Sequence, residues 1–161
     1  MSPSYFVSCS NDSTINLWEA EQNRAIMRFM GHENEVQALD VFGMDGNIFT
    51  TGSSDLTFRV WDIRQKRACF RVFDKNTEGT GISAIKFMPE NVNTIAVGYE
   101  DGTVKIWDLR CTESVGKLKE KKAVYDGIKS LQFSKSGRLL FSAHNSNYVK
   151  IWDLLTEDTV G

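Results

Sequence analysis

Short runs in which apolar and polar residues alternate recur along the whole chain, and none shows the spacing of a helical stripe. Ile15-Asn-Leu-Trp18, Phe58-Arg-Val-Trp61, Val104-Lys-Ile-Trp107 and Val149-Lys-Ile-Trp152 share one pattern. Successive side chains of a strand point to opposite faces, so the pattern predicts four half-buried strands. A turn precedes each: Asp12-Ser-Thr, Asp55-Leu-Thr, Asp101-Gly-Thr and Ser146-Asn-Tyr. These residues tolerate tight backbone or bond to it. Before each turn lies a second apolar stretch, Phe6-Val7, Ile48-Phe49, Ile95-Ala-Val97 and Leu139-Leu-Phe141, which makes each unit a hairpin. Further upstream, Val36-x-x-Leu39-x-Val41, Ile82-x-x-Ile85-x-Phe87 and Ile128-x-x-Leu131-x-Phe133 repeat with one internal spacing. This is the most apolar strand and is expected to be the most buried. A weaker fourth strand follows each tryptophan, as in Ala25-Ile-Met-Arg-Phe29.

The strands therefore belong to a sequence repeat. Trp18, Trp61, Trp107 and Trp152 stand at intervals of 43, 46 and 45 residues, and an acid follows each: Glu19, Asp62, Asp108 and Asp153. Four antiparallel strands per repeat of about 45 residues describe the blade of a β-propeller. The expected fold is all-β, a partial propeller of about three and a half blades forming one domain over residues 1–161. Residues 1–30 would supply an incomplete blade without its inner strand, 31–74 and 75–120 two full blades, and 121–161 the first three strands of a last one.

Composition refines this picture. The 161 residues are 41% hydrophobic and 25% charged, with a formal net charge of −2. That is enough chain for one buried core. The near balance of charge offers no field for nucleic acid, whose binding depends on phosphate neutralisation. No apolar run is long enough for a membrane span, and the first residues do not read as a secretion signal. Cys9, Cys69 and Cys111 share no metal-like spacing; an odd number of thiols suits a reducing compartment, and a cytoplasmic location is expected, membrane-peripheral only through partners. No cofactor, metal or catalytic residue is expected. Gly79-Thr-Gly81 precedes a strand instead of opening a helix, so it reads as a turn and not as a phosphate loop. Lys117-Leu-Lys-Glu-Lys-Lys122 reads as a solvated outer strand and loop. His144, beside the hairpin turn, reads as a loop residue.

These motifs resemble the Trp-Asp (WD) repeat family over almost the entire chain. Gly31-His32 resembles that family's Gly-His pair, and the resemblance implies a buried hydrogen-bond tetrad of His32, Thr51, Asp55 and Trp61. Partial tetrads follow at Ser8, Asp12 and Trp18, at Asp101 and Trp107, and at Ser142 and Trp152, the last two repeats having no His at the family's place. WD propellers usually have seven blades, so the chain is expected to be a portion of a longer protein or to complete itself by self-association. Gln132-Phe-Ser-Lys-Ser-Gly-Arg-Leu-Leu-Phe141 and Thr57-Phe-Arg-Val-Trp-Asp-Ile-Arg64 are similar to segments of heterotrimeric G-protein β subunits. That resemblance implies a non-catalytic interaction module whose rim binds an α subunit or effector through Glu35, Gln37, Gly81, Ser83, Glu100, Lys129 and Asn145. The alternative is a general WD scaffold that assembles a protein complex outside G-protein signalling.

Overall fold

The computed structural model describes residues 4–65, 69–73, 79–118, 126–156 and 158–159. Fifteen strands among them form four antiparallel sheets. Blade I holds β1 (Tyr5–Cys9), β2 (Ile15–Glu19) and β3 (Arg24–Phe29). Blade II holds β4 (Val36–Val41), β5 (Ile48–Ser53), β6 (Phe58–Asp62) and β7 (Cys69–Phe73). Blade III runs through β8 (Ile82–Met88), β9 (Asn91–Tyr99), β10 (Val104–Asp108) and β11 (Ser114–Leu118). Blade IV comprises β12 (Ile128–Phe133), β13 (Leu139–His144), β14 (Val149–Asp153) and β15 (Asp158–Thr159). Sequential strands pair throughout, the architecture of propeller blades. One detail differs from the sequence reading: blade IV does not stop at its third strand, because Asp158 and Thr159 pair with Asp153 and Trp152.

Alternation decides how the blades stack. One face of each third strand carries aliphatic or phenyl groups, and the next blade meets it with its tryptophan. Ile15 and Leu17 of blade I share a core with Phe49 and Trp61 of blade II. Phe58 and Val60 of blade II pack with Ile95, Val97 and Trp107 of blade III. Val104 and Ile106 of blade III complete the series against Leu140 and Trp152 of blade IV. Burying each such side chain contributes roughly 1.5–3 kcal/mol, so the seams between blades hold much of the core.

Two irregularities recur at fixed places. A register shift separates the first and third residues of each inner strand: Val36/Ala38, Ile82/Ala84 and Ile128/Ser130. A second lies just before the tryptophan where strands three and four pair, at Leu17/Trp18, Val60/Trp61 and Ile106/Trp107. Such bulges insert an unpaired residue and re-aim the side chains around it. The hairpin turns repeat equally closely, with Ser13, Leu56, Gly102 and Asn147 all at positive φ in the same position of the four blades.

Candidate functional site

The inner-strand bulges place three rim residues. Gln37, Ser83 and Lys129 are the unpaired residues at those shifts, and the side chains of Gln37 and Lys129 are exposed. A second recurring contact fixes the loops beside them. The residue after each second strand donates its N–H to the carbonyl of the residue before the inner strand: Ser54 to Glu35, Glu100 to Gly81, and Asn145 to Gly127, each at 3.0 Å. Glu35, Gln37, Glu100, Lys129 and Asn145 thus reach solvent along one edge of the stacked blades on a backbone held by regular bonds. Below it, β4, β8 and β12 line a trough of about 260 Å³.

Two of the seven rim residues are less open to solvent, Gly81 being buried and Ser83 half-buried. A Cβ on Gly81 would come within 2.9 Å of the Glu100 carboxylate. The Ser83 hydroxyl donates to the Ile128 carbonyl of blade IV at 2.5 Å, so it joins two blades instead of facing a partner.

Beneath the rim of blade II, Trp61, Thr51, His32 and Asp55 form one chain. The Trp61 Nε1–H donates to Thr51 Oγ1 at 2.8 Å, and Thr51 lies 2.8 Å from His32 Nε2. His32 Nδ1 lies 2.8 Å from Asp55 Oδ2. With Trp61 able only to donate, Thr51 donates onward to Nε2 and the Nδ1–H faces the carboxylate. Burial pushes the His32 imidazole below its ordinary pKa, and the attraction of Asp55 reverses only part of that. Burial would raise the Asp55 carboxyl, but hydrogen bonds from Thr57, His32 and the Glu33 N–H outweigh it and hold its pKa at about 2. The imidazole is therefore neutral and the carboxylate ionised near neutrality. His32 and Thr51 are shut off from solvent, at 6% and 0% exposed.

The other repeats depart in instructive ways. In blade I, Trp18 donates to Ser8 at 2.9 Å, while Asp12 is occupied by the N–H and hydroxyl of Thr14. In blade III, Asp101 takes the same two donors from Thr103, and Val97 stands at the hydroxyl position. Trp107 packs edge-on against Phe58 with ring centres 5.2 Å apart.

Blade IV corrects the reading of His144 as a loop residue. It closes β13, is 5% exposed, and occupies a hydrogen-bond chain of its own. Trp152 donates to Ser142 at 2.9 Å, Ser142 lies 3.0 Å from His144 Nε2, and His144 Nδ1 lies 3.2 Å from the Asp126 carbonyl. The Asp126 carboxylate accepts from the Ser146 N–H at 2.9 Å and from the Tyr148 hydroxyl. Relative to blade II the two elements have exchanged roles: the loop before the inner strand supplies the acid, and the second strand supplies the imidazole. The spacing of Tyr148 from Ser146, equal to that of Thr57 from Asp55, is the signal in the sequence that marked this donor.

Among the described residues no group of His, Cys, Asp and Glu is arranged to hold a metal ion, and no helix is long and apolar enough to cross a membrane. Cys9 and Cys111 are free thiols, and burial raises the pKa of Cys9. Lys117 is exposed on β11, whereas Lys119 to Lys122 lie outside the described residues.

A family model described as "Nucleolar protein 10-like, N-terminal domain" matches residues 10–160, and it is a β-propeller family. No curated protein matches the chain. The family description overturns the cytoplasmic expectation, since it points to the nucleolus. The thiol argument behind that expectation separates reducing from oxidising compartments only, and the nucleus is as reducing as the cytoplasm. The match gives the G-protein β resemblance no support.

Proposed function

Because this chain belongs to the nucleolar protein 10-like family, we propose that it is a non-catalytic scaffold that holds protein partners in the nucleolus. The observation that carries this reading is the contrast between rim and interior. The polar groups best suited to chemistry, His32 with Asp55 and His144 with Ser142, are buried in chains that brace the blades. The exposed residues Glu35, Gln37, Glu100, Lys129 and Asn145 sit on bulges and loops fixed by repeated backbone bonds. A rigid frame carrying solvated loops suits recognition better than turnover.

The scaffold alternative fits better than a G-protein transducer. Gly81 and Ser83, two positions that the transducer reading needs on the rim, are engaged within the molecule. Affinity capture from nucleolar extract, read by mass spectrometry, tests the proposal. A reproducible partner set should be recovered with the wild-type chain and lost with Glu35→Lys/Glu100→Lys. Equal recovery by both, or recovery of G-protein α subunits, would overturn it.

A further inference from the structure

Blade III carries a glycine where blade I carries a methionine, and that glycine borders a cleft. In the pairing of third and fourth strands, Met27 lies opposite Leu17 in blade I, whereas Gly116 lies opposite Ile106 in blade III. Gly116 lines a depression of about 440 Å³ between blades III and IV, within the roughly 300–1,000 Å³ span of small-ligand pockets. Its floor is apolar, made by Met88, Ile106, Leu118 and Leu154, and its mouth carries Val115 and Leu155, which are 58% and 78% exposed. Apolar groups this open on a soluble domain mark a contact surface when they border a concavity.

Charge selects the occupant. Arg138 is the one charged residue among the described residues that line the cleft. Its Nε and Nη2 are both held by Asp153 Oδ2, at 3.1 and 2.7 Å, which fixes the plane of the guanidinium. The group is still 59% exposed, while Asp153 is nearly covered, so the pair presents donors outward and no acceptor. We propose that this cleft binds an extended peptide segment of a partner protein, one that places an aliphatic side chain over Ile106 and a carboxylate against Arg138. The inference rests on the scaffold reading and adds a second contact surface, away from the loop rim.

The test is an array of acetylated hexapeptides with systematically varied positions, probed with the full 161-residue chain. Peptides that set Leu, Ile or Val beside Asp or Glu should be bound best, and replacing the acid by Lys should abolish the signal. Gly116→Met restores the side chain that blade I carries and should weaken binding about tenfold or more. Leu155→Ser, on a surface position that cannot unfold the core, should weaken it in the same direction. Glu35→Lys/Glu100→Lys should leave array binding unchanged, which separates failure of the cleft from failure of the rim. No preference for aliphatic-acidic peptides, or undiminished binding by folded Gly116→Met and Leu155→Ser, would overturn the proposal.

Discussion

Thr51 serves two neighbours at once, accepting from Trp61 and donating to His32, and it is fully buried. Thr51→Val keeps the shape and removes both bonds. Each buried group left without a partner costs about 1–3 kcal/mol, so chemical denaturation should show a loss of that size or larger. Ser8→Ala should cost less, because Ser8 serves Trp18 in a half-exposed setting. The same chain predicts a pH dependence. The lowered pKa of His32 means that the unfolded chain binds a proton more readily than the folded one, so stability falls as the pH drops below about 6.5. Asp55, held at about 2, adds a further loss as the pH falls from the ordinary carboxyl range towards that value. A melting series from pH 7 to 5 should slope downward with acid, and His32→Asn should remove its share of that slope. An equal slope in the variant would contradict the assignment.

At the scale of strands and blades, close approach matters more than any one bond. Gly98 on β9 faces the next blade, and a Cβ there would lie 2.7 Å from Ile128 Cγ2. Gly52 on β5 stands in the same relation to Ile82. Gly98→Ala should therefore overpack the seam between blades III and IV and destabilise by about 1–3 kcal/mol, although Ala suits a strand better than Gly. An unchanged denaturation midpoint would show that the seam yields. The strand order was legible from the chain because alternation and tryptophan spacing are local and repeated four times, with Asp-x-Thr turns in three of the blades. The exchanged network in blade IV was not legible in that way. His144 takes its partners from Ser142 and from Asp126, and Asp126 lies in a different loop, so the pairing exists only once the sheet is folded. Ser83 illustrates the same limit: its hydroxyl reaches the Ile128 carbonyl of the neighbouring blade, a contact that exists only once the blades are stacked.

Across the four blades, the described rim residues carry more negative than positive charge, which the net charge of −2 does not locate. Asp12, Glu33, Glu35 and Glu100 are exposed on the hairpin turns and inner-strand loops of blades I to III, with Lys129 exposed on blade IV. Among the described residues, two cations of the opposite loops are paired locally: Arg64 bonds Asp62 and Asp45, and Arg110 bonds Asp108. The described rim residues of blades I to III are thus mostly acidic, and a partner surface that meets them should be basic. Exposed charges interact over a Debye length of about 8 Å at physiological salt and about 3 Å at 1 M. Partners held at low salt should accordingly be released as sodium chloride approaches about 1 M, with the association rate falling before the dissociation rate rises. Glu35→Lys/Glu100→Lys should reproduce that weakening at low salt. Because both side chains are exposed, the double variant should change stability by no more than about 0.5 kcal/mol per site. Binding that is indifferent to salt and to charge reversal would place the interface away from these loops.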